Sequence, residues 1–357
     1  MTQIAVLPGD GIGTEVTAAA VRVLDKAHPG LTFVEAPVGA QAIAVKGEPL
    51  PAETIRICSE SAAILFGAVG GPGYDDLEPH ERPEAAILGL RKHFNLYANI
   101  RPARVFPGME TRSSLRPELV DGMDLIFVRE LTGGLYFGEK TLTHEHGHEV
   151  ARDVLIYQDD EIERAVRVAF QLAQMRRKHL TSVDKNNVLM SSQLWRRVVI
   201  DVAHDYPDVT LEHMLVDNAA MQLVRDPRAF DVIVTENMFG DILSDEAAMI
   251  TGTIGTASSA ALCGKPDGTG FGLYEPISGT APDIAGKKLA NPIGAILSAA
   301  MLARYSLGDE AAAAAIERAV AETLVAGPRT RDLDRIAGAS TDAVADAIVG
   351  RISTVAA

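Results

Sequence analysis

Two aspartates spaced four residues apart are candidates for holding a divalent cation. Asp241 and Asp245 lie in the segment 239–245. On a helix, residues at this spacing stand on one face, with about 5–6 Å between their Cβ atoms. Asp217, which follows an apolar run, could supply a third oxygen ligand. Carboxylate-rich coordination suits Mg²⁺ or Mn²⁺ better than zinc. The competing interpretation, in which Asp241 only complements the positive end of a helix dipole, stays open at this stage.

Three arginines are candidates for binding an acidic substrate. Arg91 lies at the end of a predicted helix, Arg101 lies ten residues further on, and Arg129 directly follows a predicted strand. Loops at the ends of parallel strands are where α/β proteins place ligand contacts. Guanidinium groups hold carboxylates by paired, charge-assisted hydrogen bonds. Each of the three, taken singly, is more often a surface arginine, and the spacing alone does not bring them together.

Lys185 and Tyr136 are the candidates for proton transfer. Lys185 lies just past a predicted strand, and Tyr136 lies in a glycine-flanked loop that also follows a strand. Lysine and tyrosine ordinarily titrate near ~10, so neither is a good base at neutral pH. A metal ion and several arginines nearby would disfavour the ammonium form of the lysine and make it a usable base. The structural alternative for Lys185 is a salt bridge to Asp184.

A glycine loop near the start of the chain invites comparison with dinucleotide-binding loops. Gly9, Gly11 and Gly13 follow an apolar run, but the fingerprint of a Rossmann fold requires a further glycine where this chain has Thr14. We therefore interpret the loop as a tight strand-to-helix turn.

A second metal-like pattern carries less weight. His144, His146 and His148 alternate, so on a strand they would share one face and could bind a transition metal. They lie in a polar segment without a catalytic neighbour, and exposed histidines are the commoner outcome there. We do not predict a metal site at these residues.

The elements that must position these residues follow an α/β pattern. Apolar runs of strand length alternate with longer segments of helical period. The polar, alternating segment 141–157 predicts a protruding β-arm. The stretch 251–292 is rich in glycine, serine, threonine and proline, which predicts a long functional loop. Two helices, at 292–305 and 309–325, are predicted to close the chain.

Composition narrows the classes of function. The chain has 357 residues, of which 47% are hydrophobic, enough for two domains with a sizeable core. A formal net charge of −15 disfavours binding to nucleic acid or to an anionic membrane surface, and it requires a local cationic pocket for any acidic substrate. Two cysteines, no signal peptide and no apolar stretch long enough to cross a bilayer predict a cytoplasmic protein.

The same motifs, taken in order, resemble one family. They run along nearly the whole chain, at residues 4–13, 90–92, 99–102, 129–138, 183–185, 237–245 and 281–287. With these residues in this order, the sequence resembles the 3-isopropylmalate dehydrogenases, within the isocitrate/isopropylmalate dehydrogenase superfamily. The implied reaction is the oxidative decarboxylation of 3-isopropylmalate to 4-methyl-2-oxopentanoate with reduction of NAD⁺, a step of leucine biosynthesis.

The resemblance also implies the architecture. The fold would be α/β/α around a mixed sheet, distinct from a Rossmann fold, in a homodimer of two-domain subunits. One domain would combine residues 1–98 with 251–357 and bind NAD⁺. The other, residues 99–250, would carry the dimer contact, the metal and substrate residues, and a β-arm near 139–157. The active site would lie in the cleft between the domains.

Roles in binding the substrate and the metal come with the resemblance as well. Three arginines match the clamp on the carboxylates of a 2-hydroxy diacid substrate: Arg91, Arg101 and Arg129. Three aspartates match the ligands of Mg²⁺ or Mn²⁺: Asp217, Asp241 and Asp245. The metal would polarise the C2 carbonyl and stabilise the enolate left when CO₂ departs.

The catalytic roles fall on the two residues already singled out. Lys185 matches the base that takes the proton from the C2 hydroxyl as hydride leaves to NAD⁺. Tyr136 matches the residue that helps to protonate the enolate at C3. Four residues would be borrowed from the partner subunit: Lys185, Asn187, Val188 and Asp217.

The choice of substrate is expected to depend on the group at C3. Isocitrate needs polar partners for an extra carboxylate, whereas the helix before Arg91 presents Glu84, Ile87 and Leu88. An apolar pair suits an isopropyl group, and an uncompensated carboxylate against it would be costly. The alternative is that Ile87 and Leu88 are core residues, although Ala86 and Leu90 could fill that place.

The choice of cofactor is expected to depend on Asp283, which matches the contact to the adenosine ribose. Its carboxylate would accept from the ribose hydroxyls and repel a 2′-phosphate, which favours NAD⁺ over NADP⁺. Ser278 stands where many relatives have a histidine against the adenine, so we expect modestly weaker NAD⁺ binding. The other residues expected on the cofactor side are Gly70, Gly71, Glu84, Glu275, Gly279, Thr280, Ala281, Pro282 and Asn291.

Three rival functions remain. A sister dehydrogenase could act on another malate derivative, such as homoisocitrate, tartrate or a 3-alkylmalate. A non-catalytic regulatory subunit would typically have lost the base or the metal ligands, which this chain keeps. A Mg²⁺-dependent hydrolase using the same aspartates has no motivated nucleophile here.

Overall fold

A computed structural model describes residues 2–352 of the chain. The strands are β1 (Gln3–Gly9), β2 (Thr32–Glu35), β3 (Ala63–Ala68), β4 (Ala98–Arg104), β5 (Asp124–Glu130), β6 (Lys140–Glu145), β7 (His148–Asp153), β8 (His179–Asp184), β9 (Thr210–Leu215), β10 (Val232–Thr235), β11 (Ser258–Leu262) and β12 (Gly272–Pro276). The α-helices are α1 (Gly13–Ala27), α2 (Gly39–Lys46), α3 (Ala52–Ser59), α4 (Ala85–His93), α5 (Pro117–Val120), α6 (Asp159–Gln174), α7 (Met190–Ala203), α8 (Val216–Arg225), α9 (Asn237–Ile250), α10 (Ile293–Tyr305), α11 (Glu310–Ala326) and α12 (Thr341–Val349).

One large mixed sheet organises the molecule. Its strand order is β2-β1-β3-β12-β11-β4-β5-β10-β8-β9. The strands at both flanks are parallel, whereas β11 is antiparallel to both β12 and β4, and β4 is antiparallel to β5. The predicted α/β fold with a mixed sheet is therefore confirmed, and the antiparallel centre separates it from the all-parallel Rossmann arrangement.

The strand order divides the sheet at one place. The half β2-β1-β3-β12-β11 comes from the two outer segments of the chain, and the half β4-β5-β10-β8-β9 comes from the middle segment. The two halves meet where β11 pairs with β4. This division supports the predicted domains, 1–98 with 251–357 and 99–250, which remain a prediction.

The stretch 251–292 was predicted as a long loop, and that prediction is wrong. It contains β11 and β12, which pair with each other inside the sheet. All five residues of β11 are buried, and its sequence Ser-Ser-Ala-Ala-Leu neither alternates nor forms a long apolar run. A strand covered on both faces needs no alternation, so periodicity could not reveal it among the surrounding glycines and prolines.

The end of the chain also differs from the prediction. Helices α10 and α11 are present, and α10 is buried on nearly every side, as its apolar sequence indicated. A third helix, α12, follows them, and the hydroxyl of Ser340 accepts a hydrogen bond from the backbone N–H of Ala343 at its start. Ser340 is a common type of N-cap, which is the sequence signal that was missed.

The predicted arm segment forms its own small sheet. β6 and β7 pair antiparallel, apart from the large sheet, and most of their residues are exposed. Of the helices that the structure describes in residues 2–352, none combines the length and the apolar character needed to cross a membrane.

Candidate active site

Two of the predicted arginines converge on the two predicted aspartates. Arg101 lies in the middle of β4, Arg129 lies near the end of β5, and α9 begins directly after the neighbouring β10. Nη1 of Arg101 is 3.0 Å from Oδ1 of Asp245 and 3.3 Å from Oδ1 of Asp241. Arg129 also donates to Oδ1 of Asp241. Both guanidinium groups are buried. The four charges therefore form a compact site between the middle strands of the sheet and α9.

Arg91 reaches the same site from α4. Its Nη2 forms an ion pair with Oε1 of Glu275 at 2.9 Å, and both side chains are mostly buried. The positive charge of Arg91 contributes to lowering the pKa values of Asp241 and of Arg129, which places it within electrostatic reach of both. The three predicted arginines are thus brought together, although Glu275 was predicted to contact the cofactor rather than an arginine.

The site shifts the protonation of its own acidic groups. Burial alone would raise the pKa of Asp241, but Arg129 and Arg101 outweigh it and the pKa lies below its ordinary value. For Asp245 the effect of burial wins over the attraction of Arg101, so its pKa is raised. Burial, followed by the like charge of Arg101, lowers the pKa of Arg129. At neutral pH the site therefore holds a carboxylate at Asp241 between cations.

Tyr136 lies at the rim of this charged cluster. Its hydroxyl donates to Oδ2 of Asp241 at 3.0 Å, and the guanidinium of Arg129 lies over its ring, 5.6 Å from the centroid. Burial and the negative charge of Asp241 raise the pKa of Tyr136, so the hydroxyl keeps its proton and the hydrogen bond to Asp241. The side chain is 37% exposed, which leaves room for a substrate beside it.

Lys185 and Asp217 lie together, and they form a separate pair. Nζ of Lys185 is 2.7 Å from Oδ1 of Asp217, and this hydrogen bond lowers the pKa of Asp217. The alternative salt bridge to Asp184 is not formed, because Asp184 is held instead by two hydrogen bonds from Arg196. The two further residues predicted to be shared, Asn187 and Val188, are exposed on the loop after β8.

The donor set fits a hard divalent cation, and two of its three predicted ligands lie together. Asp241 and Asp245 present carboxylate oxygens from one helix face and are partly exposed, with 32% and 52% of their side-chain areas accessible. All-oxygen donors suit Mg²⁺ or Mn²⁺. Within residues 2–352 no three His, Cys, Asp or Glu side chains come together as a metal site, since Asp217 stays with Lys185. The histidines of the arm form no such cluster either.

The exposed side of α4 carries both charged and apolar side chains. Ala86 and Leu90 are fully buried in the second core cluster, as proposed for the core side of the helix. Leu88 is 37% exposed, Glu84 is exposed, and Ile87 is partly buried and packs against that cluster. Residues spaced by three and four share a helix face. Glu84, Leu88 and Arg91 therefore lie along one side of α4, with the apolar residue next to the arginine.

The loop expected to bind the cofactor is held against the first glycine loop. The backbone N–H of Ile12 donates to the carbonyl of Thr280 at 2.9 Å, and a Cβ at Gly11 would lie 2.1 Å from that oxygen. The short connection from β1 to α1 is the tight turn that the sequence indicated, and its glycine allows this close approach. Asp10 also accepts from the backbone N–H of Gly70, so the two glycine loops are fixed to each other.

The remaining residues predicted on the cofactor side differ in exposure. Gly71 is partly exposed, Gly279, Pro282 and Asp283 are exposed, and Ala281 adopts a positive φ of 40°. Asn291 lies deeper, where its side chain donates to Asp332 and accepts from the backbone N–H of Ile293. Asp283 is exposed, whereas Asn291 is occupied in holding the start of α10.

Sequence reasoning missed the polar residues that fix the arginines. Arg129 donates to Oδ1 of Asn237 at 2.9 Å, and Arg101 donates to the side chains of Asn99 and Ser244, both at 2.8 Å. Asn99 and Ser244 lie inside motifs already singled out, but nothing in their spacing indicated contacts to residues in other elements.

A buried carboxylate positions the loop that carries Tyr136. Glu130 is inaccessible to solvent, and its two oxygens accept from the backbone N–H groups of Thr132 and Gly133, both at 2.8 Å. The ring of Tyr157 packs beneath the loop. A Cβ at Gly134 would lie 2.7 Å from the Tyr157 hydroxyl, and Gly134 has a φ of 76°, so only glycine fits there.

We expect Gly134→Ala to lower kcat by about 10²-fold and to destabilise the fold by about 1–3 kcal/mol, because the methyl group displaces the Tyr136 loop from Tyr157. The control is Gly147→Ala in the arm. Gly147 has a similar φ of 84°, but its Cβ would meet nothing within 4 Å. Gly147→Ala should lose about 1 kcal/mol of folding stability and keep its activity. Steady-state kinetics and urea unfolding measure both effects, and equal kcat values for the two variants would contradict the positioning role.

Comparison with known proteins places the chain among metabolic dehydrogenases. The model of the isocitrate/isopropylmalate dehydrogenase family matches residues 3–348. The chain is 57% identical to a 3-isopropylmalate dehydrogenase of Novosphingobium aromaticivorans, with 98% of this chain and 100% of that protein covered. It is 56% identical to a 3-isopropylmalate dehydrogenase of Geobacillus kaustophilus, with 93% and 90% covered.

Two solved structures of related dehydrogenases have the same fold as this chain. An isocitrate dehydrogenase from Methylococcus capsulatus has a TM-score of 0.87 at 34% identity, with 99% of both chains covered. A β-decarboxylating dehydrogenase from Thermococcus kodakarensis has a TM-score of 0.81 at 39% identity, with 99% of this chain and 96% of that chain covered.

Proposed function

Because the chain belongs to the isocitrate/isopropylmalate dehydrogenase family, we propose that it oxidises and decarboxylates 3-isopropylmalate to 4-methyl-2-oxopentanoate with reduction of NAD⁺, in leucine biosynthesis. The observation that carries the proposal is the cluster of Arg91, Arg101 and Arg129 around the carboxylate of Asp241, with Tyr136 at its rim. Such a site holds a dicarboxylate and a divalent cation on a chain of net charge −15.

The arginines bind and orient the substrate. Arg101 and Arg129 have fixed positions because Asn99, Ser244 and Asn237 occupy their other donors. Their remaining N–H groups would pair with the substrate carboxylates, while the neighbouring aspartates turn to the cation. Holding the leaving carboxylate and the C2 hydroxyl in one geometry supplies the proximity that the reaction needs.

Proton transfer is assigned to two residues, Lys185 and Tyr136. Lys185 would take the proton of the C2 hydroxyl, and Tyr136 would deliver a proton to C3 after CO₂ has left. The position of the Tyr136 hydroxyl, which donates to Asp241 at the rim of the charged cluster, supports its role as the acid. When bound, NAD⁺ would accept the hydride from C2, and Mg²⁺ or Mn²⁺ would polarise the C2 oxygen as a Lewis acid.

We propose that the second half of the site comes from a partner subunit. Lys185 and Asp217 pair with each other, and Asp241 and Asp245 lack a third ligand within the described part of one chain. Apolar side chains stand exposed on both helices next to these aspartates: Met221 on α8 and Ile242 on α9. Exposed apolar faces of this kind mark association surfaces. A homodimer through α8 and α9 would bury them and bring the two half-sites together.

The substrate side chain is proposed to lie against Leu88 and Ile87. The chain shares its fold with a solved isocitrate dehydrogenase and 57% of its sequence with a 3-isopropylmalate dehydrogenase, so architecture does not select between these acids. The exposed leucine beside Arg91 supports the apolar substrate. Homoisocitrate and isocitrate would bring a third carboxylate against it without a partner, at a cost in binding.

The test of the proposal is a substrate panel. Purified protein with NAD⁺ and Mg²⁺ should reduce the cofactor with 3-isopropylmalate far faster than with isocitrate, malate or tartrate, and EDTA should abolish the rate. Leu88→Ser should lower kcat/KM for 3-isopropylmalate by about 10–100-fold through lost apolar contact. Val45→Ser, an exposed apolar residue on α2, is the matched control and should change nothing. Preference for another acid in the wild type would overturn the substrate assignment.

A further inference from the structure

The glycine loop between β1 and α1, residues 9–13, contacts both loops on which the cofactor is proposed to lie. Asp10 is 8% exposed, and its Oδ2 accepts from the backbone N–H of Gly70 at 3.0 Å. The backbone N–H of Ile12 donates to the carbonyl of Thr280 at 2.9 Å. The loop that does not match a dinucleotide-binding fingerprint is therefore bonded to one residue from each side of the proposed cofactor site.

Glu15, in the first turn of α1, adds a second bond to the loop that contains Thr280. Its Oε1 accepts from the backbone N–H of Gly286 at 2.5 Å. Gly286 has a φ of 75°, in the left-handed region that favours glycine. Residues 280–286, here named the ribose loop, are thus held at one end by Ile12 and at the other end by Glu15.

The ribose loop carries Asp283, whose position depends on the backbone of the loop. Asp283 is exposed, and within residues 2–352 its carboxylate forms no hydrogen bond or ion pair. Inside the loop, the backbone N–H of Ile284 donates to the carbonyl of Ala281 at 3.1 Å, and Nζ of Lys287 donates to the carbonyl of Asp283 at 2.7 Å. These bonds shape the loop, and the bonds at its two ends attach it to the glycine loop and to α1.

Fold stability alone gives a weak reason for a glutamate at position 15. A carboxylate in the first turn of a helix is favoured by the helix dipole. Oε2 of Glu15, however, is buried and has no hydrogen-bond partner among the residues that the structure describes, which costs free energy. Lys288 lies within electrostatic reach of Glu15 but forms its ion pair with Asp342, at 2.7 Å. The specific contact that this carboxylate makes is its hydrogen bond to the ribose loop.

We propose that Glu15 is a positioning residue for the cofactor, because its bond to Gly286 fixes the ribose loop with Asp283 placed to contact the adenosine ribose. This inference rests on the proposed function, which supplies the dinucleotide. Ile284 and Ala285 also pack against the main core cluster, so loss of Glu15 loosens the loop without releasing it. Loss of one hydrogen bond of this kind corresponds to about tenfold weaker binding of the dinucleotide.

The test compares Glu15→Leu with Glu15→Gln. Leucine fills much of the same buried volume and removes the acceptor, whereas glutamine keeps an acceptor oxygen and removes the charge. Glu15→Leu should raise the Kd for NADH, measured by its fluorescence, about tenfold, and the KM for NAD⁺ with it. ADP-ribose, which lacks the nicotinamide, should lose affinity by the same factor. The KM for 3-isopropylmalate and kcat at saturating NAD⁺ should not change. Glu15→Gln should stay within about threefold of the wild type in every measurement.

Glu53→Leu is the matched control. Glu53 also lies in the first turn of a helix, α3, but its side chain is exposed and forms its ion pair with Lys46. The helix dipole acts on both glutamates, so a role of Glu15 limited to the dipole would make the two leucine variants alike. Glu53→Leu should bind NADH and ADP-ribose with wild-type affinity.

Hydrogen exchange without cofactor tests the bond itself and needs no variant. At single-residue resolution, the amide of Gly286 in the wild type should exchange more slowly than that of Gly279, an exposed residue of the same segment. In Glu15→Leu the protection at Gly286 should be lost. The wild-type measurement decides whether the bond persists even if Glu15→Leu does not fold.

Several results would overturn the role of Glu15. They are equal NADH affinities in the wild type and Glu15→Leu, equal losses in Glu15→Leu and Glu15→Gln, a loss for NADH without a loss for ADP-ribose, and a fall in kcat that matches the loss of affinity. A wild type that binds NADH but leaves Gly286 unprotected would contradict this role alone. A wild type that binds no NADH would overturn the proposed function and this role together.

Discussion

Lys185→Met is expected to reduce kcat by about 10³-fold while leaving NAD⁺ binding and the oligomeric state intact. Lys185 is the one residue proposed to take the proton from the C2 hydroxyl, and general-base groups contribute about 10²–10⁴-fold. Methionine keeps the length of the side chain and removes the amine. The neighbouring Asp217 is well exposed, so it loses its ion pair without becoming a buried, unpaired charge.

The matched control for this variant is Lys178→Met. Lys178 also forms an ion pair with an aspartate, Asp208, at 3.0 Å, and it lies next to the start of the same strand. Its loss removes a lysine–aspartate pair, with a more exposed lysine, from a surface away from the site. Steady-state kinetics with 3-isopropylmalate should show wild-type turnover for Lys178→Met. Undiminished turnover in Lys185→Met would remove this lysine from the mechanism.

Asp245→Asn is expected to lower activity by about 10²–10³-fold at a fixed Mg²⁺ concentration, and higher Mg²⁺ should restore part of the loss. The substitution keeps the shape of the side chain and removes one negative charge from the cation site. Asp245 is half exposed, so the fold does not depend on it. Asp241 is less suitable for this test, because its loss would leave the buried guanidinium of Arg129 without its partner.

Glu246→Gln is the control for the metal prediction. Glu246 is the next residue on α9 and also carries a partly buried carboxylate, but it forms no ion pair with any described residue. The Mg²⁺ dependence of turnover and the binding of Mn²⁺ by electron paramagnetic resonance should change in Asp245→Asn and not in Glu246→Gln. If Mn²⁺ affinity is the same in both variants, Asp245 is not a ligand.

Part of the site follows from local spacing alone. Asp241 and Asp245, four residues apart, lie on one face of α9, and both contact Arg101. The position of Arg129 at the end of a strand was also readable, because an apolar run marks β5, whereas β4 has no apolar run and the strand that carries Arg101 was not predicted. Local periodicity fixes which residues share a face, and that information is contained in a short window of sequence.

Other parts depend on contacts between distant segments. Lys185 pairs with Asp217 rather than with its neighbour Asp184, because Arg196 on α7 occupies Asp184. Glu275 holds Arg91 only because β12 lies inside the sheet, and β12 was hidden in a stretch that lacks periodicity. The partners in these two pairings lie 32 and 184 residues apart in the chain, and the packing of different elements brings them together. No pattern of spacing in the sequence encodes them.

The most direct test of the proposed active site is subunit complementation between Lys185→Met and Asp245→Asn, coexpressed with different tags. If one subunit supplies Asp241 and Asp245 and the other supplies Lys185 and Asp217, each mixed dimer has one site with all native residues. We predict that the mixture of two nearly inactive parents oxidises 3-isopropylmalate at about a quarter of the wild-type rate, as random pairing requires. A mixture as inactive as its parents would show that each site is built within a single chain and would contradict the shared site.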